Sequence, residues 1–321
     1  MTNASPTAPQ RPRVPRRALD GVLLLDKPVG LSSNDALIRA KRLYQAKKAG
    51  HTGTLDPLAS GLLPLCFGEA TKFSQDLLDA DKTYEATMRL GVTTTTGDAE
   101  GEVLRTRDVH CDDAGVAAAL TQFCGEIVQI PPMYSALKRD GKPLYEYARA
   151  GQTVEREGRR VTIHALELIA CALPDVTFRV TCSKGTYVRT LAEDIGAALG
   201  CGAHLIALRR TGVGVLTLEH AVTLDALSDA ADGDRDRWLQ PVDALLSTFP
   251  AVHLDDEATR RFLHGQRLRL ADLSISGDVL GAPRVRVYAA YEGPHEGRLL
   301  GVAKAADGVL APDRLVVTAP T

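Results

Sequence analysis

The stretch "DVTFRVTCSKGTYVRTLAEDIGAALG", residues 175–200, changes its period partway along. Up to residue 190 apolar and polar residues alternate, the pattern of a strand with one face buried. From Leu191 the pattern is helical, and Gly200 stands where such a helix would stop. Working outward, "VTIHALELIA" (161–170) and "TYEATMRLG" (83–91) alternate in the same way. "GVLLLDKP" (21–28) is instead a continuous apolar run halted by Pro28 and Gly30, the mark of a buried strand. "SSNDALIRAKRLYQA" (32–46) reads as a helix capped by Ser33 or Asn34, and "DDAGVAAALTQFCGEI" (112–127) as a second capped helix. These elements predict an α+β fold, a mixed, largely antiparallel sheet with flanking helices.

The chain has 321 residues, more than one typical domain. Residues 1–18 are Pro-rich and basic and are expected to be a disordered tail. The main domain is placed at 19–247. Within it, 131–160 loses all periodicity, carries seven cations and four acids, and interleaves Tyr134, Tyr145 and Tyr147. An insertion of that length is usually functional. After a boundary near residues 246–250, a strand, a short helix ending at Gly265 and the short strands "RVRVYAAY", "LLGVAKA" and "RLVVTA" form a small β-rich module at 248–321.

The formal net charge of −2 argues against indiscriminate nucleic-acid binding, but the charges are segregated. Arg39, Lys41, Arg42, Lys47 and Lys48 follow one another without an acid, whereas residues 224–243 hold six aspartates against two arginines. A local basic surface is therefore expected. The six cysteines form no C-x-x-C pair and no signal peptide precedes them, so reduced thiols and a cytoplasmic location are expected. No H-E-x-x-H, phosphate-binding loop or G-x-G-x-x-G occurs, so neither a metal nor a nucleotide cofactor is expected. No apolar run approaches the ~20 residues of a membrane span.

The candidate chemistry centres on "HTGTLDPLASG", residues 51–61. Asp followed by Pro is a common helix start, so Asp56 by itself reads as an N-cap. A catalytic Asp56 needs partners. If "KGTYVRT" (184–190) ends a strand, Tyr187 and Arg189 share a face, and an arginine opposite a carboxylate keeps it ionised and oriented. Each residue also has a plain structural reading: an ion pair for Arg189, a core aromatic for Tyr187, cross-strand packing for Tyr84. Asp98 reads as a turn residue. Lys27 sits at a strand-to-turn junction, free to meet a phosphate. "SALK" (135–138) lacks the companion motifs of an acyl-serine enzyme.

Taken in order, "GVLLLDKPVGLSSND", "GHTGTLDPLASGLLPLCFGEATK", "DKTYEATMRLGVTTTTGDAEGE", "PPMYSALKRDGKPLYEYARAG" and "CSKGTYVRTLAEDIG" resemble the TruB-type bacterial tRNA pseudouridine synthases over residues 20–220. The resemblance implies an enzyme that isomerises uridine 55 in the T-loop of tRNA, with a small RNA-binding module of the PUA kind at the C-terminus. It implies Asp56 as the catalytic aspartate, Tyr84 against the target uracil, and Arg189 paired to Asp56 with Tyr187 close by. It further implies His51 filling the gap left by the flipped base, Lys27 supporting its loop, and 131–160 as a mobile clamp on the RNA. The cations from Arg39 to Lys48 suit the phosphates of a folded RNA loop. The isomerisation exchanges a C–N for a C–C bond without redox change, so no cofactor is implied. The implied partner is the T-arm stem-loop of tRNA, bound by a monomer. An RNA-binding or RNA-folding protein without essential chemistry is the alternative reading.

Overall fold

The computed structural model describes residues 16–273, 279, 282–290 and 297–316. Residues 1–15 of the expected tail lie outside the described residues. Its end is tied down: Arg17 donates its amide to Gln45 O (2.8 Å) and its side chain pairs with Asp236.

Eleven of the described strands form one sheet. Its main path runs through Gly21–Lys27, Ala59–Phe67, Ala203–Val213, Lys82–Leu90, Asp175–Cys182, Arg159–Ala172 and Gly125–Gln129. Neighbours among these strands are antiparallel except where Ala59–Phe67 meets Ala203–Val213, and the short strand Val222–Thr223 adds a second parallel pairing at the outer side of Gly21–Lys27. The expected mixed, largely antiparallel sheet is therefore present. Met88, Phe178, Val180 and Leu205 pack on one face against the helices Val188–Ala198 and Asp113–Thr121. The opposite face of those strands is solvated. It carries a Thr83–Thr181 contact (3.2 Å), a Thr87–Thr177 contact (3.0 Å) and a bidentate Arg89–Asp175 pair. This explains the alternation. The Gly21–Lys27 and Ala59–Phe67 strands are covered on both faces, so they read as continuous apolar runs.

Four local expectations need correction. The alternation from residue 175 stops at Cys182, and the Val188–Ala198 helix begins three residues before Leu191. Tyr187 is therefore the residue before the helix and Arg189 lies in its first turn, rather than both on a strand end. "DPLASGLL" is a turn into the Ala59–Phe67 strand, so Asp56 caps no helix. The first helix runs Ser33–Leu43 and is capped by Ser32, not Ser33 or Asn34, leaving Lys47 and Lys48 beyond its end. The 112–127 stretch is a helix only to Thr121; Gly125, at φ +94°, turns the chain into an edge strand. The 131–160 insertion contains a small hairpin (Lys138–Arg139 with Lys142–Pro143) and the short helix Leu144–Arg149.

Gly61 shows how tightly the central strands meet. Its φ is +100°, and a Cβ there would lie 2.2 Å from Arg210 O in the adjacent strand. Gly61→Ala is expected to lower unfolding free energy by at least about 3 kcal/mol in urea melts; a change under about 1 kcal/mol would refute this close-contact account.

The C-terminal strands form a separate sheet around Phe262, Val287, Leu300 and Leu310. Its hairpin turns at Asp307 and Gly308, both with positive φ, so the last described strand is Val309–Leu315 and starts before the expected 314–319. This sheet is fastened to the main body at Asp76. That carboxylate is 4% exposed and pairs with Arg284 and Arg314 (3.7 Å to the latter), while Lys72 Nζ donates to Leu315 O at 2.9 Å.

Candidate active site

Asp56 lies on a turn clamped from its backbone. Gly30 N donates to Pro57 O (2.8 Å), Leu55 N donates to Ser33 Oγ (2.7 Å), and Ser33 Oγ donates to Leu55 O (3.1 Å). Ser33 is thus a pin between the first helix and the Asp56 turn. Lys27 pins the other side. Its buried ammonium donates to Pro28 O (2.8 Å) and Leu31 O (2.7 Å), fixing the loop that holds Pro57. Burial lowers its pKa to about 8, against the opposing pull of Asp56. Lys27 is consequently not free to meet a phosphate.

The Asp56 carboxylate, 40% exposed, meets Arg189, which is 5% exposed, at 3.0 Å. Arg189 Nη1 donates to Thr96 O (2.8 Å) and Nη2 to Tyr134 O (2.7 Å), and its Nε lies 3.5 Å from the buried Asp98. Asp98 accepts from Thr96 Oγ1 and Glu100 N, so it is a turn residue and an ion-pair partner at once. Two carbonyls and two carboxylates fix the guanidinium, and of the two carboxylates Asp56 is the one that faces solvent.

Around this pair, burial raises the pKa of Tyr84 and Tyr187, which keeps both as phenols. Tyr187 N donates to Gln129 Oε1 at 3.0 Å. Burial, then the charge of Arg210, lowers the pKa of His51 and keeps its ring neutral. Arg39, Arg42, Lys47 and Lys48 are exposed and Lys41 is half-buried. The acidic segment is not remote from them: Tyr44 donates to Arg235 O (2.7 Å), and Gln45 to Asp232 (3.5 Å), directly behind the helix end.

Sequence reasoning missed Arg210. It stands directly across from Tyr84 on the neighbouring strand, is 1% exposed, and donates to Leu62 O (2.7 Å), with its charge acting on the Tyr84 phenol. The signal was available. In "ALRRTG" two arginines are adjacent on a strand, so one of them must point inward.

Glu193, one turn beyond Arg189, packs its carboxyl against Gly97. Burial pushes its pKa up to about 7, with Arg189 opposing. A raised carboxyl favours the fold while protonated, and that contribution fades as pH climbs from about 4.5 to about 7. Glu193→Gln should therefore flatten the stability decline across this window, gaining about 1 kcal/mol at pH 8 after allowance for partial exposure. Parallel wild-type and variant curves would refute it. Among the described residues, no His, Cys, Asp and Glu group is arranged to hold a metal ion, and no helix is long and apolar enough to cross a membrane.

Three family models match in succession: the TruB family pseudouridylate synthase N-terminal domain at residues 41–188, the tRNA pseudouridylate synthase B C-terminal domain at 189–247, and the pseudouridine synthase II TruB C-terminal model at 250–316. The chain belongs to the TruB family of pseudouridylate synthases. It is 78% identical to tRNA pseudouridine synthase B of Burkholderia mallei over 99% of both chains. It is 66% identical to the protein of that name from Cupriavidus metallidurans, over 98% of this chain and 99% of the other. Among solved structures it resembles a chain of a Cbf5-Nop10-Gar1 complex (TM-score 0.70, 28% identity, covering 92% of this chain and 84% of that one). It also resembles a chain of an H/ACA RNP bound to a substrate RNA containing 2'-deoxyuridine (TM-score 0.68, 26% identity, covering 93% and 85%).

Proposed function

We propose that this protein is a tRNA pseudouridine synthase that converts uridine 55 of the T-loop to pseudouridine, acting as a cytoplasmic monomer. The observation that carries the reading is the half-exposed Asp56 carboxylate held 3.0 Å from a buried Arg189. Full-length similarity to proteins named tRNA pseudouridine synthase B supports the tRNA substrate.

The chemistry requires one oriented carboxylate. The bond from ribose to N1 breaks and its electron pair stays on the ring. The ring turns, a bond forms from the ribose to C5, the C5 proton leaves, and N1 takes up a proton from solvent, so that atoms and charge balance. Asp56 serves as nucleophile or base in these steps, ionised and aimed by Arg189. Tyr84 and Tyr187 contact the extruded base, and the neutral His51 ring occupies the space it vacates. Extrusion costs a few kcal/mol, and each aromatic contact returns ~1–3 kcal/mol. Lys27 acts from behind by fixing the loop. Arg39, Lys41, Arg42, Lys47 and Lys48 meet phosphates, residues 131–160 clamp the RNA, and the 248–321 module extends the contact.

The test is tritium release from carbon 5 of uridine-labelled tRNA transcript. Release mapped to uridine 55 is expected, because that label leaves only when C5 becomes the glycosidic carbon. Tight binding without release would make the chain an RNA-binding protein.

A further inference from the structure

Arg210 is the largest fully buried side chain among the described residues, and the hydrogen-bond acceptors it reaches are two neutral carbonyls. Its Nε donates to Leu62 O at 2.7 Å and its Nη2 to Gly53 O at 3.3 Å, and its register places it directly across from Tyr84, whose phenol its charge reaches. A buried cation is costly when no carboxylate offsets it, and an apolar residue would fill the same position without that cost. The backbone is shaped to admit it. Gly61 lies beside Arg210 in parallel register and Tyr84 opposite it in antiparallel register. An irregularity between Arg210 and Gly212 tilts the strand just beyond it, a feature that re-aims side chains next to active sites.

We infer that Arg210 is a positioning residue for the isomerisation, holding the Tyr84 phenol oxygen from behind so that its O–H is aimed at the displaced uracil. This rests on the synthase reading above. A phenol oxygen that accepts from a guanidinium has one lone pair fixed, and its own proton must point elsewhere. It also becomes a stronger donor. When the bond from ribose to N1 breaks, the electron pair spreads over the ring nitrogen and the two carbonyl oxygens. A donor set beforehand toward one of those oxygens stabilises the charge as it develops. Burial keeps Tyr84 protonated for that purpose. The same guanidinium is bonded through Gly53 O to the stretch that leads into the Asp56 turn.

The test is a double-substitution cycle with Arg210→Gln and Tyr84→Phe, read as single-turnover tritium release and as RNA affinity. Arg210→Gln is expected to slow the reaction about 10- to 100-fold, the range for losing a hydrogen bond to a charged group, and to change affinity less than about threefold. In the Tyr84→Phe background the same substitution should cost less than about threefold, because its route is already gone. Losses that multiply would overturn the inference and make Arg210 a pin for the Gly53 turn. A second readout is independent of turnover. The ring-carbon NMR signal of the Tyr84 phenol, assigned by its loss in Tyr84→Phe, should move in Arg210→Gln, and an unmoved signal overturns the inference. If Arg210→Gln fails to fold, Arg210→Lys, which keeps the cation but loses the forked geometry, takes its place in both measurements. Wild-type protein without release would sink the synthase reading alone, while the NMR arm would still decide the hydrogen bond.

Discussion

Asp56→Asn is expected to slow pseudouridine formation by at least about ten-thousand-fold while RNA affinity stays within a few fold. The turn keeps its shape, because Gly30, Ser33 and Ala59 hold it through the backbone atoms of Leu55, Asp56 and Pro57. Asn retains one oxygen for Arg189 but is neither nucleophile nor base. Stability should change by less than about 1 kcal/mol, because the side chain is 40% exposed and caps no helix. The measurement is single-turnover tritium release beside filter binding. A variant retaining a tenth of the wild-type rate would remove Asp56 from the chemistry.

Arg189→Met should have the largest effect on the fold and a large one on turnover. It removes the cation beside Asp98, which is 4% exposed, and leaves Thr96 O and Tyr134 O without their donor. A buried carboxylate stripped of its partner costs about 3–5 kcal/mol, and a loss of that size is expected in urea melts. Adding Asp98→Asn to Arg189→Met should recover part of it, because the stranded charge is then gone. No recovery would mean that the carboxylate is not the source. Turnover should fall about a thousandfold, far more than RNA affinity. Equal losses of rate and affinity would contradict an orienting role for Arg189.

How much of this was legible beforehand depends on the range of the interaction. The strands at residues 83–91 and 161–170 were readable because one face is dry and the other wet, which is written into alternation. The boundary at Cys182 was not. Thr186, Tyr187 and Val188 continue a strand-like pattern, yet Tyr187 leaves the sheet because Gln129, from a distant strand, binds its backbone at both N and O. Asp56 looked like a helix cap because Asp-Pro is a local signal, whereas the contacts that hold the turn come from residues 30 and 33. Arg189 was a candidate partner of Asp56 by residue type, and the resemblance implied the pairing, but nothing local announces its second partner, Asp98. Read from its own residues, Lys27 was misjudged as free to meet a phosphate, although the resemblance implied its support of the loop: exposed lysines and buried ones look alike in sequence, and only packing separates them.

The fastening at Asp76 bears on how the molecule can be taken apart. The short helix Ser74–Leu78 carries that residue and leads directly into the Lys82–Leu90 strand. Lys82 Nζ bonds back to Leu78 O and Ala80 O, so this connection is braced. A fragment ending at residue 247 would strand Asp76 without Arg284 or Arg314, two residues before the braced joint and eight before Tyr84 in sequence. Cutting away the C-terminal sheet would thus injure the catalytic part as well as shorten it. Activity lost by such a fragment measures the wound at Asp76 together with any missing grip on RNA, and substitutions at Arg284 and Arg314 in the intact chain are what separate the two.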